Sequence, residues 1–220
     1  MQLAACWGCA NSALAHFPAL GYTLSFATHP YYCIRETRMK NSQSRYGIVT
    51  KLFHWTIFLI FLNQFVVAIA MLNTPAGYTQ GALYNWHKSI GLIALGVAML
   101  RYTWRKTTPL PDWAPNLSAR EKKTIHWVEK ILYICMFLMP ISGFIFVMTG
   151  GYGVNFFGQW QMPNVLGENA TVALIAQWTH RITAWLIVFT LFTHWGLGIR
   201  HQFVHRDRYL QRMLPFTHQR

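Results

Sequence analysis

The stretch Val172–Ile199, VALIAQWTHRITAWLIVFTLFTHWGLGI, decides how the chain is read. It is long enough to cross the ~30 Å hydrocarbon core of a bilayer as one helix. Yet it carries His180, Arg181 and His194. Ionisable side chains at such depth are costly unless paired or metal-bound, so they mark a functional site. His180 and His194 stand 14 positions apart. That is roughly 21 Å and close to four whole turns, so both project from the same side of one helix.

Three more apolar runs precede it: Ile48–Leu72, Ile90–Trp104 starting from Trp86-His87, and Ile131–Met148. The second falls short of the ~20 residues a span needs, so its polar start must sit at membrane depth. Of the 220 residues, 53% are hydrophobic and only 11% charged, too little solvating surface for a soluble domain of this size. The expected fold class is an all-α integral membrane protein. Short connections between the runs favour an antiparallel four-helix transmembrane bundle.

A net charge of +13 raises the question of nucleic acid, but the cations alternate with the spans. Arg35, Arg38, Lys40, Arg45 and Lys51 precede the first. Arg101, Arg105, Lys106, Arg120, Lys122 and Lys123 separate the second from the third, and Arg200, Arg206, Arg208, Arg212 and Arg220 follow the fourth. Asn73–Asn85 and Thr149–Gln177, the other two loops, are nearly devoid of base. The positive-inside rule then places both termini and the central loop in the cytoplasm, and argues against nucleic acid as a partner. Trp55, Trp86, Trp104, Trp113, Trp127, Trp178 and Trp195 fall near the span ends, where amphipathic rings favour the headgroup zone.

Residues 1–38 differ in texture, mixing Gly, Pro, His and Cys without periodicity, and lack the basic start and continuous apolar core of a signal peptide. Met39 looks like a natural beginning, so 1–38 is expected to be a spurious or disordered extension and 39–220 the membrane domain. The cysteines are Cys6, Cys9, Cys33 and Cys135, and none falls in the expected exterior loops. No disulfide framework is implied, and the lone Cys6-Trp7-Gly8-Cys9 spacing lacks a second half for a metal site. Cys135 reads as a small lipid- or core-facing residue.

Depth sorts the intramembrane histidines. The first run enters from the cytoplasm with His54 a turn or so inside. The second enters from the exterior with His87 at its start. His54 thus matches His194, and His87 matches His180. Neutral imidazoles in such pairs suit the two axial positions of a haem, giving two haems and one-electron chemistry with no open position on the iron. A zinc site needs ligands converging on one point, whereas these divide into two distant groups. A proton relay stays open, although the spans carry no carboxylate deep inside. Gly91, Gly96, Gly196 and Gly198 suit either close approach to a flat cofactor or ordinary small-residue packing. His126 reads as an interface or propionate-side residue, and His201, His205 and His218 as solvated or lipid-facing.

Lys51-Leu52-Phe53-His54-Trp55, Trp86-His87-Lys88-Ser89-Ile90-Gly91, and Trp178-Thr179-His180 followed by His194 resemble the bacterial cytochrome b561 family. His126, Tyr133, the Met139-Pro140-Ile141-Ser142-Gly143 kink and Phe156-Phe157-Gly158 extend the likeness, which runs from about Ser44 to Arg212. The resemblance implies a four-helix, di-haem b-type cytochrome of the bacterial inner membrane, with His54, His87, His180 and His194 as iron ligands. It also implies electron transfer with ubiquinone and, in some members, superoxide as an exterior donor. Related cytochrome b subunits anchor hydrogenases and formate dehydrogenases, so a membrane-anchor role is the alternative. Lys88 and Arg181 directly follow two of the histidines. They suit steering of a small anion, or binding of haem propionates or lipid phosphates.

Overall fold

The computed structural model describes residues 39–43, 45–113, 117–205 and 210–214. The expected extension 1–38, with Cys6, Cys9 and Cys33, lies outside the described residues, as does His218. Four long helices dominate: α1 (Ile48–Asn73), α2 (Tyr78–Thr107), α3 (Ala119–Thr149) and α4 (Ala170–Arg200). A two-residue antiparallel ribbon, β1 (Asn155–Phe156) and β2 (Trp160–Gln161), sits between α3 and α4. After α4 the chain makes a π-helical turn at His201–His205 and a short 3-10 turn at Leu210–Arg212.

Local chemistry sets the helix ends. At the end of α1, Asn73 Nδ2 donates to the Ile69 carbonyl (2.7 Å) and Thr74 Oγ1 to that of Ala70 (2.8 Å), adding side-chain bonds to carbonyls of the last turn. Thr74 is extended, as a residue before proline prefers, and Pro75 stops the helix. A capping box opens α3: the Ser118 hydroxyl accepts from the Glu121 amide, and the Glu121 carboxylate accepts from Ser118 N. Asn169 caps α4 through the Val172 amide, and its own amide donates to the Thr149 carbonyl (2.8 Å), tying the start of α4 to the end of α3.

Three helices, α1, α3 and α4 with its following turn, are long and apolar enough to cross a membrane. Only 6% of the most apolar window of α1 is buried inside the protein, and Leu59, Leu62, Val66 and Ile69 stand exposed along it. Phe189, Phe192 and Trp185 do the same on α4. Side chains of this kind in such numbers require a hydrocarbon surround rather than water. The helices packed along their lengths are α3 on α4, α1 on α2 and α2 on α3.

Several elements are longer than the apolar runs alone suggest. The expected loop Asn73–Asn85 shrinks to residues 74–77, because Tyr78–Asn85 is already helical. His87 therefore lies nine residues into α2, not at its start. Polar first turns are compatible with a helix that begins above the hydrocarbon, and Gln80 Nε2 bonds the Met71 carbonyl (3.1 Å) to steady this one. Likewise α3 starts at Ala119 rather than Ile131, on the strength of its capping box. His201 is not solvated: it is buried at 1% exposure in the turn that ends α4. Cys135 is a free, fully buried thiol facing the core.

Candidate functional site

His54, His87, His180 and His194 form two pairs, one near each end of the bundle. At the basic end, His54 on α1 and His194 on α4 bring their ring centres to 6.1 Å, tilted by 39°. Trp55 meets His54 edge-on, and Phe58 and Trp195 pack beside them. Arg101 of α2 reaches in: a guanidinium nitrogen stands 3.5 Å from His54 Nδ1, and its carbon lies 5.6 Å over the Tyr133 ring. The returning chain covers this end, since the Met213 carbonyl accepts from the Trp55 indole (3.0 Å) and that of Leu214 from Lys51 Nζ (2.9 Å). Tyr46 lies here too, and burial, reinforced by Glu129, pushes its hydroxyl pKa upward.

At the hairpin end, His87 on α2 and His180 on α4 have ring centres 6.3 Å apart at 79°. Gln64 of α1 donates to the His87 carbonyl (2.9 Å). The 180 ring lies against α3, where its Nδ1 sits 2.9 Å from the Met139 carbonyl. A carbonyl only accepts, so Nδ1 carries the proton and Nε2 keeps its lone pair. The Ser142 hydroxyl donates to that same carbonyl (3.0 Å). Gly143 makes the approach possible, because a Cβ there would stand 2.9 Å from His180 Cε1.

The connection between α3 and α4 is fastened over this pair by two neighbours of His87. Lys88 Nζ donates to the Gly153 carbonyl (2.9 Å). Ser89, fully buried, accepts from the Phe157 amide (2.7 Å) while donating to the Asn85 carbonyl. Arg181 is exposed and lies over its neighbour Trp178, 5.6 Å from the ring centre. A cavity of about 470 Å³ opens beside this loop, lined by Tyr78, Asn85, Trp86, Asn155 and Phe157 among others.

The spacing within each pair is informative. A metal bond of about 2 Å to each imidazole nitrogen, with about 1 Å more to each ring centre, places two coaxial ligands roughly 6 Å apart centre to centre. Both pairs meet that separation, and His180 presents the tautomer a metal ligand needs. Among the described residues no three His, Cys, Asp or Glu converge as a multi-ligand cage would require. Sequence reasoning missed the partners around the rings. Arg101 was grouped with the loop cations although it lies inside α2, and Gln64 and the Met139 carbonyl left no mark. His126, expected at an interface, is exposed on the first turns of α3.

The profile of the prokaryotic cytochrome b561 family matches residues 45–216. Cytochrome b561 homolog 2 of Escherichia coli K12 is 28% identical over 177 residues, covering 79% of this chain and 93% of that protein. Cytochrome b561 homolog 1 of the same organism is 23% identical, covering 74% and 92%. A Yersinia pestis protein named probable superoxide oxidase CybB is 24% identical, covering 74% and 91%. The matched region holds all four paired histidines and the helices that carry them, and the chain belongs to the prokaryotic cytochrome b561 family of membrane, b-type haem, electron-transfer proteins.

Proposed function

We propose that the chain is a di-haem cytochrome of the bacterial inner membrane that carries electrons between an exterior-side donor, superoxide being the candidate, and the ubiquinone pool. The observation that carries this reading is the pair of matched ring separations, 6.1 and 6.3 Å, some 14 residues apart on α4. His54 with His194, and His87 with His180, would each clamp one b-type haem from both faces. When bound, each haem supplies a one-electron ferric/ferrous couple. With both histidines of a pair engaged, donor and acceptor would be kept from direct bonding to the metal, and electrons would pass by one-electron transfer. The name of the Yersinia pestis relative supports superoxide as donor.

In this reading α2 is the fourth span. It runs back along α1, with the Trp86 indole bonded to Asn63 near one end and the Trp104 indole to Thr50 at the other. Thirty residues rise about 45 Å, enough for the crossing. The basic connections then lie in the cytoplasm with both termini, and the hairpin outside. Lys88 and Arg181 stand at the mouth of the exterior pair, where their charge would attract a small anion or a propionate.

A reduced-minus-oxidised spectrum with haem quantitation tests the assignment. Two b haems per purified chain are expected. His54→Ala and His194→Ala should remove one of them, and His87→Ala and His180→Ala the other. If His54→Ala and His87→Ala abolish the same haem and spare the second, the pairing is wrong. Donor-to-quinone turnover by the chain alone supports the oxidoreductase, whereas obligate co-purification with a large soluble subunit supports a membrane anchor.

A further inference from the structure

The two histidine pairs have surroundings of opposite electrical sense. At the hairpin end, His180 Nδ1 gives its proton to the Met139 carbonyl at 2.9 Å. An acceptor on the outer nitrogen makes the imidazole a stronger electron donor through the other nitrogen, which favours a metal's more oxidised state. At the basic end, the Arg101 guanidinium stands 3.5 Å from His54 Nδ1 and brings a full positive charge to that ring. A nearby cation favours the state with less positive charge, which is the reduced one.

Arg101 also keeps its full charge, unlike two other arginines of the helices. Arg105 is paired with Glu129 (3.2 Å) and Arg200 with Glu121 (3.5 Å). No carboxylate lies within ion-pair distance of Arg101 among the described residues, and its other contact is the Tyr133 ring. Half-buried in the bundle, its field is poorly screened. The cations at the hairpin end are aimed away from the rings. Lys88 Nζ donates to the Gly153 carbonyl, and Arg181 is exposed to solvent over Trp178.

We infer that the chain orders the potentials of its two sites: Arg101 holds the His54–His194 site higher, and the cradle of Met139, Ser142 and Gly143 holds the His87–His180 site lower. This rests on the two-haem reading above. An electron on the hairpin-end site would then move downhill to the basic-end site, the first iron going from ferrous to ferric and the second from ferric to ferrous. No proton or further reactant is needed. Gly143 and Arg101 are positioning residues here, acting on the histidines rather than on any substrate. Should Arg101 turn toward a propionate carboxylate, its charge acts in the same direction.

An equilibrium redox titration of the purified holoprotein, followed by the b-haem absorbance, tests this. Wild type should resolve into two components. Arg101→Gln should lower the higher component and leave the lower one in place, and Arg101→Lys should restore most of the shift because the charge returns. Gly143→Ala should raise the lower component alone, or lose that haem while the higher one persists, since the added methyl drives the His180 ring off its carbonyl. Two haems with Arg101→Gln moving the lower component, or neither, would overturn the ordering while sparing the two-haem reading. Fewer than two haems in wild type would overturn both.

Discussion

Ser89→Ala should loosen the hairpin over the His87–His180 pair without disturbing the helices. The hydroxyl is fully buried, accepts from the Phe157 amide at 2.7 Å, and donates to the Asn85 carbonyl one turn back. Alanine keeps helix propensity and leaves the Asn85 carbonyl its position on the helical ladder. The Phe157 amide, however, loses its acceptor on a residue that is itself 38% exposed, and a hydrogen bond lost in such a part-buried place costs about 0.5–1.5 kcal/mol. That penalty falls on a turn that already holds Phe157 at φ 51, a left-handed conformation uncommon for a bulky residue. If the cost is confined to the hairpin, the opening equilibrium there rises roughly 2- to 13-fold. Hydrogen exchange of a peptide spanning 153–161, in detergent or nanodiscs, reads this directly, with α3 as the internal reference. Exchange within twofold of wild type across the hairpin would refute the claim that Ser89 holds the loop. Equal acceleration in α3 would show that the damage is not local.

The other expectations concern orientation and charge. A reporter fused after Arg220 should be active only in the cytoplasm and one inserted near Glu168 only outside; reversed activities would invert which histidine pair faces the donor. If the exterior cations steer an anion, reduction by superoxide should slow as salt rises, because exposed charges are screened over about 8 Å at physiological ionic strength. Arg181→Gln should then weaken the salt dependence. Lys88→Gln should in addition speed exchange of the hairpin, since its amine is bonded to Gly153. A haem-replete double variant with unchanged rate and salt slope would eliminate steering.

The apolar runs revealed the long helices because burial in hydrocarbon leaves a signal in every residue of a span. Their true ends were less visible. The first turns of α2 and α3 are polar, and what makes them helical is particular: a capping box at Ser118 and Glu121, and a Gln80 bond to a carbonyl nine residues earlier. The juxtaposition of the histidines was legible because 14 residues nearly complete four turns, a regularity of helix geometry rather than of composition. What surrounds each ring was not. The acceptor for His180 is a backbone carbonyl 41 positions away, and every residue type has one. Arg101 looked like one more cytoplasmic cation, and only the length of α2 puts its guanidinium beside His54. The returning segment at 210–214 looked like a solvated basic tail, yet its carbonyls accept from Lys51 and Trp55.

These contacts give α3, which bears none of the four histidines, a defined part in the site. Pro140 interrupts its hydrogen-bond ladder, since proline brings no amide. Just around that break stand the Met139 carbonyl that receives His180, the Ser142 hydroxyl that shares it, and the glycine that admits the ring. Two turns toward the basic end, the same helix lays Tyr133 under Arg101, and a turn further Glu129 neutralises Arg105. Glu129 thereby pairs with Arg105 while the Tyr133 ring lies under Arg101. Without α3, His180 would have no acceptor to fix its tautomer and Arg101 no ring to lie on. If the pairs hold haems as proposed, the helix that carries none of the four histidines supports both the acceptor at one pair and the cation at the other.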